Sequence, residues 1–362
     1  MSAVLQLLKM GQSVWTCALG AICPSLSPRS PPEASPGGSA GGHECTASSS
    51  ISLPRRDYLQ YRLRTLDCQG RVMKPSELVK RFRVDNPKRF RLVDCLPPDT
   101  AGFKKADAQS IINERIGRLT DLQERLYAED TWAVLIVLQG VDAAGKDSAI
   151  KRVMSGLNPQ GCLVHSFKAP TGEELDHDFL WRANKWLPPS GDIGIFNRSY
   201  YEEVLVVRVH EELLGKQKLP RRLVTDRIWS ERFEDINAFE RHLARNGTVV
   251  IKFHLHISKE EQKRRLLKRL DDPAKRWKFS VDDVRERMLW DSHMAAYEDM
   301  VRHSSTREAP WYVVPADNKW FARLVIACVI VDVLDRLDLQ YPRFGRDALR
   351  EMKRLRKALQ VE

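Results

Sequence analysis

The chain has 362 residues, of which 43% are hydrophobic, and it carries a formal net charge of +11 at pH 7. This composition predicts a packed core and a basic surface that favours a polyanionic partner, although charge alone does not separate nucleic acid, an anionic membrane and a phosphate polymer. No apolar run reaches the roughly 18 residues that a membrane-spanning helix needs, and the seven cysteines lack the CxxC and Cys/His spacings of a metal site. An integral membrane protein and a cysteine-based metal fold are excluded, and no membrane partner is expected.

Residues 1–52 are predicted to be a disordered or non-native-like extension. Residues 24–52 are rich in Pro, Ser and Gly, so ordering them would cost conformational entropy with little burial in return. The apolar patch Val14–Ile22 follows Lys9, as in a secretory signal, but it is short and interrupted. An overlong start or a disordered tail is therefore the favoured interpretation.

The folded part is predicted to begin with a basic lead-in and a long helix. Residues 53–105 look irregular or partly helical, and they precede an amphipathic helix over residues 106–130. We expect the main domain to span residues 106–342, followed by a basic helix over residues 343–362. The apolar residues of the long helix recur at helical spacing: Ile111, Ile112, Ile116, Leu119, Leu122 and Leu126.

After that helix, short apolar runs alternate with longer amphipathic segments. This alternation predicts right-handed crossovers and a parallel sheet with helices on both faces, which is a three-layer α/β/α sandwich. A strongly apolar segment over residues 317–339 is interrupted by Lys319, Arg323 and Asp332, so we expect a buried closing helix there. The strand candidates are Trp132–Leu138, Leu163–Phe167, Asp192–Phe196, Thr248–Ile257 and Trp311–Val314.

The first strand leads into a glycine-bounded loop and then a helix, the order that a phosphate-binding P-loop requires. Gly140 and Gly145 would let the backbone N–H groups turn inward, where the start of the helix adds attraction for phosphate. Lys146 would bridge the phosphoryl group in transit, whereas the structural alternative is a turn with a surface lysine. The predicted phosphate-binding residues of this segment are Gly140, Ala143, Ala144, Gly145, Lys146, Asp147 and Ser148.

The loop departs from the usual P-loop pattern at one position. Asp147 directly follows the lysine, where Ser or Thr normally holds a magnesium ion, and Ser148 comes one residue later. Mg²⁺, with Mn²⁺ as a substitute, must therefore be bound by another group. Asp142 inside the loop is the carboxylate that we expect to reach it.

A second candidate site follows the third predicted strand. Asn197, Arg198 and Glu202 come after its buried residues, and the ends of neighbouring strands in an open α/β sheet converge on the ligand crevice. The guanidinium of Arg198 can clamp a phosphoryl group and stabilise its charge in the transition state. The alternative role for Arg198 is a salt bridge at the sheet edge.

Four segments carry a resemblance to a known family. They are GVDAAGKDS (140–148), NPQG (158–161), SFKAPTGEELDHDFLWR (166–182) and IFNRSYYEEVLVVRVH (195–210). In this order they resemble the type-2 polyphosphate kinase family, most closely its class III branch, over residues 75–342. The resemblance implies a thymidylate-kinase-like P-loop fold with a helical lid, dependence on Mg²⁺, and reversible phosphoryl transfer from inorganic polyphosphate to a nucleoside mono- or diphosphate. It also implies adenine or guanine nucleotides, a homodimer or homotetramer, and a cytoplasmic location.

The two phosphate motifs of that family can be placed on this sequence residue by residue. The first falls on Asp142, Gly145 and Lys146, and the second falls on Asn197, Arg198 and Ser199. Many family members carry Asp at the position of Asn197, so a neutral oxygen replaces a carboxylate ligand of the metal ion here. The resemblance therefore implies a metal site of Asp142 and Asn197 that depends mainly on Asp142.

Basic residues after the fourth strand predict a lid over residues 259–285. Residues 259–278 contain nine Lys or Arg against four Asp or Glu. A helix with these cations on adjoining faces would suit a long phosphate chain and close over the site, whereas the alternative is an ordinary solvated helix. The predicted polyphosphate-binding residues are Arg264, Arg265, Lys268 and Arg269.

The nucleotide side is predicted from the segments after the second and third strands. Lys168 lies just past the second strand and can contact phosphate, and Arg208 is expected to face the crevice together with Glu202. The resemblance implies that this region borders the nucleotide. The residue that recognises the base stays open.

The expected chemistry is electrostatic, because the phosphate oxygen of AMP or ADP is already ionised at neutral pH. Lys146, Arg198 and the lid cations, with Mg²⁺, would hold two polyanions in line and neutralise charge in transit. The first alternative is an ATP-dependent kinase of a nucleotide or small metabolite. The second, a nucleic-acid-binding protein, lacks helix-turn-helix, zinc-finger and RNP signatures, so no nucleic-acid partner is expected.

Overall fold

The computed structural model of the protein describes residues 73–360. The predicted extension over residues 1–52 and the first part of the basic lead-in lie outside the described residues. Within the described range, no helix is both long and apolar enough to cross a membrane. All of the candidate site residues lie inside this range.

Among the described residues, five parallel strands form one sheet with β1 at its centre. Each strand expected from the apolar runs is present, and its ends differ from the expected ones by no more than one residue. The parallel sheet confirms the predicted α/β class. The strands are β1 (Ala133–Gln139), β2 (Cys162–Ser166), β3 (Ile193–Asn197), β4 (Thr248–His256) and β5 (Trp311–Pro315), in the spatial order β2-β3-β1-β4-β5.

Twelve α-helices accompany these strands within residues 73–360, and short 3₁₀ turns link several of them. The longer helices form the outer layers, and the shorter ones lie in the connections. Their bounds are α1 (Pro75–Phe82), α2 (Lys105–Glu129), α3 (Lys146–Val153), α4 (Gly172–Leu175), α5 (Trp181–Asn184), α6 (Val206–Val209), α7 (Ile228–Arg245), α8 (Lys259–Asp271), α9 (Val281–Met288), α10 (Trp290–Ser304), α11 (Lys319–Asp335) and α12 (Arg346–Leu359).

Helices cover both faces of the sheet, as a three-layer sandwich requires. On one face, α2 and α11 pack with Val134, Ile136 and Leu138 of β1. On the other face, α7 and α10 pack with Leu135 and Val137 of the same strand. Consecutive side chains of a strand point to opposite faces. Because β1 is buried on both faces, its sequence is an unbroken apolar run.

Helix α11 is apolar around most of its circumference, and the packing around it explains why. Eleven of its residues are buried, and it packs against α2 and against Leu78 and Phe82 of α1. A helix that is hydrophobic all round belongs in the interior of a protein. Helix α12 is the opposite case, because none of its residues is buried.

The carboxyl ends of β1, β3 and β4 meet at one edge of the sheet because the strands are parallel. Leu138 of β1 pairs with Asn197 of β3, and Gln139 pairs with His254 of β4. The phosphate loop, the segment that contains Arg198 and helix α8 all follow these strand ends. The register of the sheet therefore brings the candidate site residues to one edge.

Candidate active site

The loop over residues 140–145 is shaped by the strand beside it. A Cβ atom on Gly140 would lie 2.9 Å from the carbonyl oxygen of Leu255, so the close approach of the two backbones requires glycine. Ala143 (φ 64°) and Gly145 (φ 113°) adopt left-handed backbone conformations. The first N–H groups of any α-helix have no intrahelical acceptor, and in helix α3, which begins at Lys146, no side-chain cap satisfies them. This arrangement favours binding of phosphate oxygens.

The side chain of Lys146 lies inside this loop. Its Nζ donates hydrogen bonds to the carbonyl oxygens of Gly140 at 2.6 Å and Val141 at 3.3 Å, and the residue is only 7% exposed. Burial and the nearby charge of Arg198 lower the pKa of Lys146, and Asp142 opposes that shift. A phosphate group beside this lysine would favour its protonated form. The position is the one that a phosphate-bridging lysine needs, and that role stays a prediction.

Arg198 connects the ends of β1 and β3. Its Nη2 donates to Asp142 Oδ1 at 2.5 Å, and its Nη1 donates to Glu202 Oε2 at 3.2 Å. The charge of Glu202 raises the pKa of Arg198 against the effect of burial, with a further contribution from Asp142. Arg198 also has a left-handed backbone (φ 63°), which costs about 1–3 kcal/mol in a non-glycine residue. The two carboxylates therefore hold a strained arginine at the sheet edge.

Asp142 is an ionised carboxylate in the same cluster. Burial alone would raise the pKa of Asp142, but the charges of Arg198 and Lys146 outweigh it and hold the pKa below its ordinary value. Gln262 of α8 donates to the backbone carbonyl of Asp142 at 3.1 Å. Asp142 therefore keeps its negative charge at neutral pH, and its backbone is hydrogen-bonded to α8.

Asn197 contributes an oxygen atom without a hydrogen-bond partner. Its Nδ2 donates to Asp147 Oδ1 at 2.9 Å and to Ser166 Oγ at 3.4 Å, whereas its buried Oδ1 accepts no hydrogen bond. A buried polar atom without a partner is costly, and a cation or its water would satisfy it. Asp147 therefore fixes which end of the Asn197 amide carries the free oxygen.

The other predicted loop residues have structural contacts within the loop. Ser148 Oγ donates to the carbonyl oxygen of Gly145 at 2.9 Å. The N–H of Ala144 donates to the carbonyl oxygen of Val141 at 3.1 Å and closes a turn. These contacts stabilise the shape of the loop, and a direct contact of Ser148 with phosphate stays a prediction.

The four predicted lid cations do not share one exposed face, because Arg265 is buried beneath the phosphate loop. It is 6% exposed, and its Nη1 donates to the carbonyl oxygens of Ala143 and Ala144 at 2.9 and 2.8 Å. Its Nη2 donates to the carbonyl oxygens of Ala316 and Asp317 at 2.6 and 2.9 Å. The remaining donor, Nε, contacts a glutamate of the same helix. All of its donors are used, so Arg265 holds the loop against the end of β5.

The other three lid cations are more accessible. Arg264 and Lys268 are exposed, and Arg264 pairs with Glu261 at 2.5 Å. Arg269 is half-buried, and its Nη1 donates to Asp283 Oδ2 of α9 at 2.8 Å. Contact of these side chains with polyphosphate stays a prediction.

A cavity of about 320 Å³ opens beside Arg198. Lys168 and Glu202 line it as well, so three of the residues predicted for the phosphate and nucleotide sides lie together. Arg208 is not among the lining residues, because its Nη2 pairs with Asp299 Oδ2 of α10 at 2.7 Å. A cavity of this size suits a small molecule, and its lining combines charged side chains with an apolar wall. Its apolar wall includes Phe167, Leu175, Phe179, Val206 and Val207.

A buried ion pair that the sequence analysis missed supports the segment after Arg198. Lys252 of β4 is fully buried, and its Nζ donates to Glu240 Oε2 at 2.6 Å, to the Tyr201 hydroxyl at 2.8 Å and to the Ser304 carbonyl at 2.7 Å. The hydroxyl of Tyr200 donates to the same glutamate at 2.8 Å. The available signal was a lysine inside an otherwise apolar strand.

A group of cations around the start of α11 was also missed. Lys319 is exposed, yet desolvation by its surroundings, with the charges of Arg265 and Arg323, lowers its pKa to about 8. Burial and the charge of Arg152 likewise lower the pKa of Arg323. Desolvation is the larger cause of both shifts, and repulsion between neighbouring cations adds to it. A bound anion would relieve that repulsion.

Residues 102–342 match the model of a family described as Polyphosphate kinase 2 (PPK2). The chain belongs to this family. It is 46% identical over 283 residues to an ADP-polyphosphate phosphotransferase of Rhodopseudomonas palustris, which covers 77% of this chain and 98% of that relative. An AMP/ADP-polyphosphate phosphotransferase of Meiothermus ruber is 45% identical over 270 residues, or 73% of this chain and 96% of the relative.

A solved structure supports the same relationship. The crystal structure of polyphosphate kinase 2 from Arthrobacter aurescens TC1 aligns with a TM-score of 0.71 and 39% identity, over 79% of this chain and 98% of that one. The family resemblance seen in the sequence motifs is therefore confirmed, and the α/β fold is shared with a solved member of the family.

Kinases of this family generally need a divalent metal ion, and the residues at the sheet edge fit one. Asp142 provides an ionised carboxylate, and Asn197 provides a buried oxygen without a partner. Oxygen ligands are the ones that hard divalent cations prefer. The two residues predicted as metal ligands thus have suitable donor atoms.

Proposed function

We propose that this protein transfers the terminal phosphoryl group of inorganic polyphosphate to a nucleoside mono- or diphosphate, in a reversible reaction that converts AMP to ADP or ADP to ATP. The observation that carries the proposal is the position of Arg198, which pairs with Asp142 of the phosphate loop and also lines the 320 Å³ cavity. One cation therefore borders both the loop and the cavity. The names of the relatives from R. palustris and M. ruber support the same substrates.

The residues act through position and charge, without a covalent intermediate. Lys146 would exchange its carbonyl acceptors for the transferred phosphoryl group, and Arg198 would neutralise charge on the equatorial oxygens of that group. Asp142 and Asn197 would hold the metal ion, for which we propose Mg²⁺. When bound, the ion supplies positive charge that counters the charge of the phosphates. The acceptor phosphate is ionised near neutral pH, so little proton transfer is needed.

The nucleotide would bind in the cavity beside Arg198. The guanidinium of Arg182 lies over the ring of Phe167 at 5.0 Å, and its Nη2 donates to the carbonyl oxygen of Lys168 at 2.7 Å. These contacts hold the wall of the cavity next to β2. We infer that the apolar wall receives an adenine or guanine base, while Lys168 and Arg198 lie on the phosphate side.

Polyphosphate would bind on the side of the lid. Arg264 and Lys268 of α8 are exposed there, and the cations around Lys319 repel one another. A phosphate polymer carries a negative charge on every repeating unit, so it can contact several such cations at once. The exposed side chains of Arg264, Lys268 and Lys319 support a role for this surface in binding an anion.

The alternative functions have less support. A kinase that uses only ATP as donor is not favoured, because several relatives are named for polyphosphate. Membership of the class III branch and a homodimer or homotetramer stay predictions from the sequence resemblance. We also propose a cytoplasmic location, and the free thiols of Cys95, Cys162 and Cys328 support a reducing compartment.

The proposed function is tested with polyphosphate as the only phosphoryl donor. The full-length protein is incubated with Mg²⁺, long-chain polyphosphate and either AMP or ADP, and the nucleotides are separated by chromatography. Lys146→Ala is compared with Lys151→Ala, because Lys151 is an exposed lysine of the same helix. We expect product from the wild type and Lys151→Ala, and at least about 100-fold less from Lys146→Ala. Absence of transfer from polyphosphate, with activity on a metabolite when ATP is supplied, would establish the conventional kinase.

A further inference from the structure

Three side chains outside the phosphate centre converge between the lid and the body of the protein. Among the described residues, His210, Glu286 and His293 each offer a donor atom, and these atoms all lie within 4.8 Å of one another. His210 follows α6, Glu286 lies in α9, which overlaps the end of the predicted lid, and His293 lies in α10. None of the three has a part in the proposed phosphoryl transfer.

The carboxylate of Glu286 lies between the two imidazole rings. Its Oε1 is 2.9 Å from His210 Nε2, and its Oε2 is 2.7 Å from His293 Nε2. Two ligand atoms bound to one tetrahedral zinc ion are about 3.4 Å apart, because the bonds are roughly 2.0–2.2 Å long. The two nitrogen–oxygen pairs would therefore move apart by about 0.5–0.7 Å to admit an ion, and the two imidazole nitrogens, which lie within 4.8 Å of each other, would adjust to the same spacing. The three side chains come from separate elements, so such a movement does not require unfolding of any one helix.

The donor set differs from that of the phosphate centre. Asp142 and Asn197 offer oxygen atoms only, which suits Mg²⁺. Two imidazole nitrogens and one carboxylate instead favour a divalent transition metal such as zinc. Three protein ligands also leave a fourth tetrahedral position for water or an anion. The two sites would therefore select different ions.

A second carboxylate orients one of the imidazole rings. Glu212 Oε1 lies 3.3 Å from His210 Nδ1, the ring nitrogen opposite the one that faces Glu286. Histidine ligands of metal ions commonly donate their other N–H to a carboxylate, which fixes the tautomer and the ring orientation. This contact presents His210 Nε2 as the atom available for the metal.

We propose that His210, Glu286 and His293 bind one divalent transition-metal ion of the zinc type, separate from the ion of the phosphate centre. The ion would join α9 to α10 and to the segment after α6.

The neighbouring contacts show why this site would affect the lid. Arg287, next to Glu286, donates to Gln262 Oε1 at 2.9 Å, and Gln262 donates to the carbonyl oxygen of Asp142 at 3.1 Å. An ion at Glu286 would therefore restrain a helix that is linked to the phosphate loop. A bound ion would restrain α9 directly, because Glu286 belongs to that helix. The motion of lids limits turnover in many enzymes.

The test uses Zn²⁺ and Co²⁺ as probes on the full-length protein after removal of metal by chelation. Zn²⁺ affinity is measured by competition with a chromophoric chelator in saturating Mg²⁺. We expect one Zn²⁺ per chain that Mg²⁺ does not displace, and a loss of at least about tenfold in affinity for His210→Gln, Glu286→Gln and His293→Gln. His242→Gln is the matched control, because His242 is an exposed histidine of α7, and its affinity should not change.

The Co²⁺ spectrum of the wild-type protein keeps the test valid if a variant fails to fold. Bound Co²⁺ should give the intense visible absorption of a four-coordinate site, which Zn²⁺ but not Mg²⁺ removes. The proposal is overturned if that absorption is absent, if no Zn²⁺ binds in saturating Mg²⁺, or if folded variants bind Zn²⁺ as the wild type does. Polyphosphate-dependent transfer in Mg²⁺ alone is measured in parallel, so failure of the metal site is distinguishable from failure of the proposed function.

Discussion

The phosphate centre and the lid are both rich in cations, but they hold them in different ways. Lys146 of the phosphate centre is buried, and so is Arg265, the one predicted lid cation that lies beneath the phosphate loop; each donates hydrogen bonds to backbone carbonyl groups of the protein. Arg264 and Lys268 of the lid are exposed. The lid also exposes large apolar side chains, with Trp277 at 77%. The two regions have similar charges in very different surroundings.

Burial and pairing, rather than the number of charges, therefore indicate what a cation does. A buried cation is fixed in place when the protein folds, and its removal leaves its partners unsatisfied. An exposed cation acts at longer range, and salt screens it. Substitutions in the two regions should therefore change different measured quantities.

The largest effect is expected for Arg198 of the phosphate centre. Arg198→Lys keeps a positive charge but loses the geometry that contacts Asp142 and Glu202 together. We expect kcat to fall by about 10³-fold, because a cation of this kind stabilises the transition state, with a much smaller change in the KM for ADP. Steady-state kinetics with polyphosphate and ADP measure both. Arg241→Lys, at an exposed position of α7, is the control. An equal loss of kcat in that variant would show that Arg198 has no special role.

The next comparison uses two adjacent arginines of α8. Arg265→Ala removes a guanidinium that donates to four backbone carbonyl groups, so we expect the free energy of unfolding to fall by about 3 kcal/mol. Arg264→Ala should change it by less than about 0.5 kcal/mol, because that side chain is exposed. Urea unfolding of the two variants measures the difference. Equal midpoints and slopes would show that the buried contacts of Arg265 contribute no net stability.

The exposed lid cations should affect binding of the polymer more than turnover. In a double variant with Arg264→Ala and Lys268→Ala, we expect the KM for long-chain polyphosphate to rise about tenfold at low salt, while kcat changes by less than about twofold. The difference from the wild type should shrink as salt is added. The control removes two cations elsewhere, Arg350→Ala with Lys353→Ala on α12, where all residues are exposed. A similar rise of KM in the control would point to net charge rather than to the lid.

The smallest expected effect is the pH dependence that Lys319 causes. Its pKa is lowered to about 8, so the side chain is positively charged below that pH and loses its charge as the pH rises. Bound polyphosphate favours the charged form, and we therefore expect the affinity for polyphosphate to fall about two- to threefold between pH 7 and 9. Lys319→Arg should remove most of this change, because arginine stays charged. Equilibrium binding of polyphosphate at several pH values checks this prediction. If the wild type and Lys319→Arg show the same pH dependence, another group causes it.

Much of the fold could be predicted because its signals are local. The apolar runs located all five strands to within one residue, and the glycine-bounded loop before Lys146 was recognisable from neighbouring residues alone. The motif order also indicated the family that the comparison later showed. These features depend on periodicity and on short segments, which a single chain displays directly.

The contacts within the site could not be predicted in the same way. Arg264 and Arg265 are adjacent in sequence, yet one is exposed and the other contacts Ala316, 51 residues away. Likewise, His210 approaches Glu286 across 76 residues. No local pattern separates an arginine that faces solvent from one that packs beneath a loop, because the choice depends on which distant backbone groups lack partners.

The parallel α/β class, the order of the strands along the chain and the position of the glycine-bounded loop before Lys146 could all be read from the sequence, since each depends on residues close together in the chain. Three contacts became visible only in the folded protein: Arg198 borders both the loop and the cavity, Arg208 pairs with Asp299 outside the cavity, and two histidines meet a glutamate of α9. The physical reason is that packing of the helices on the sheet sets distances between segments far apart in sequence. Burial then decides which charged groups must find partners inside the protein.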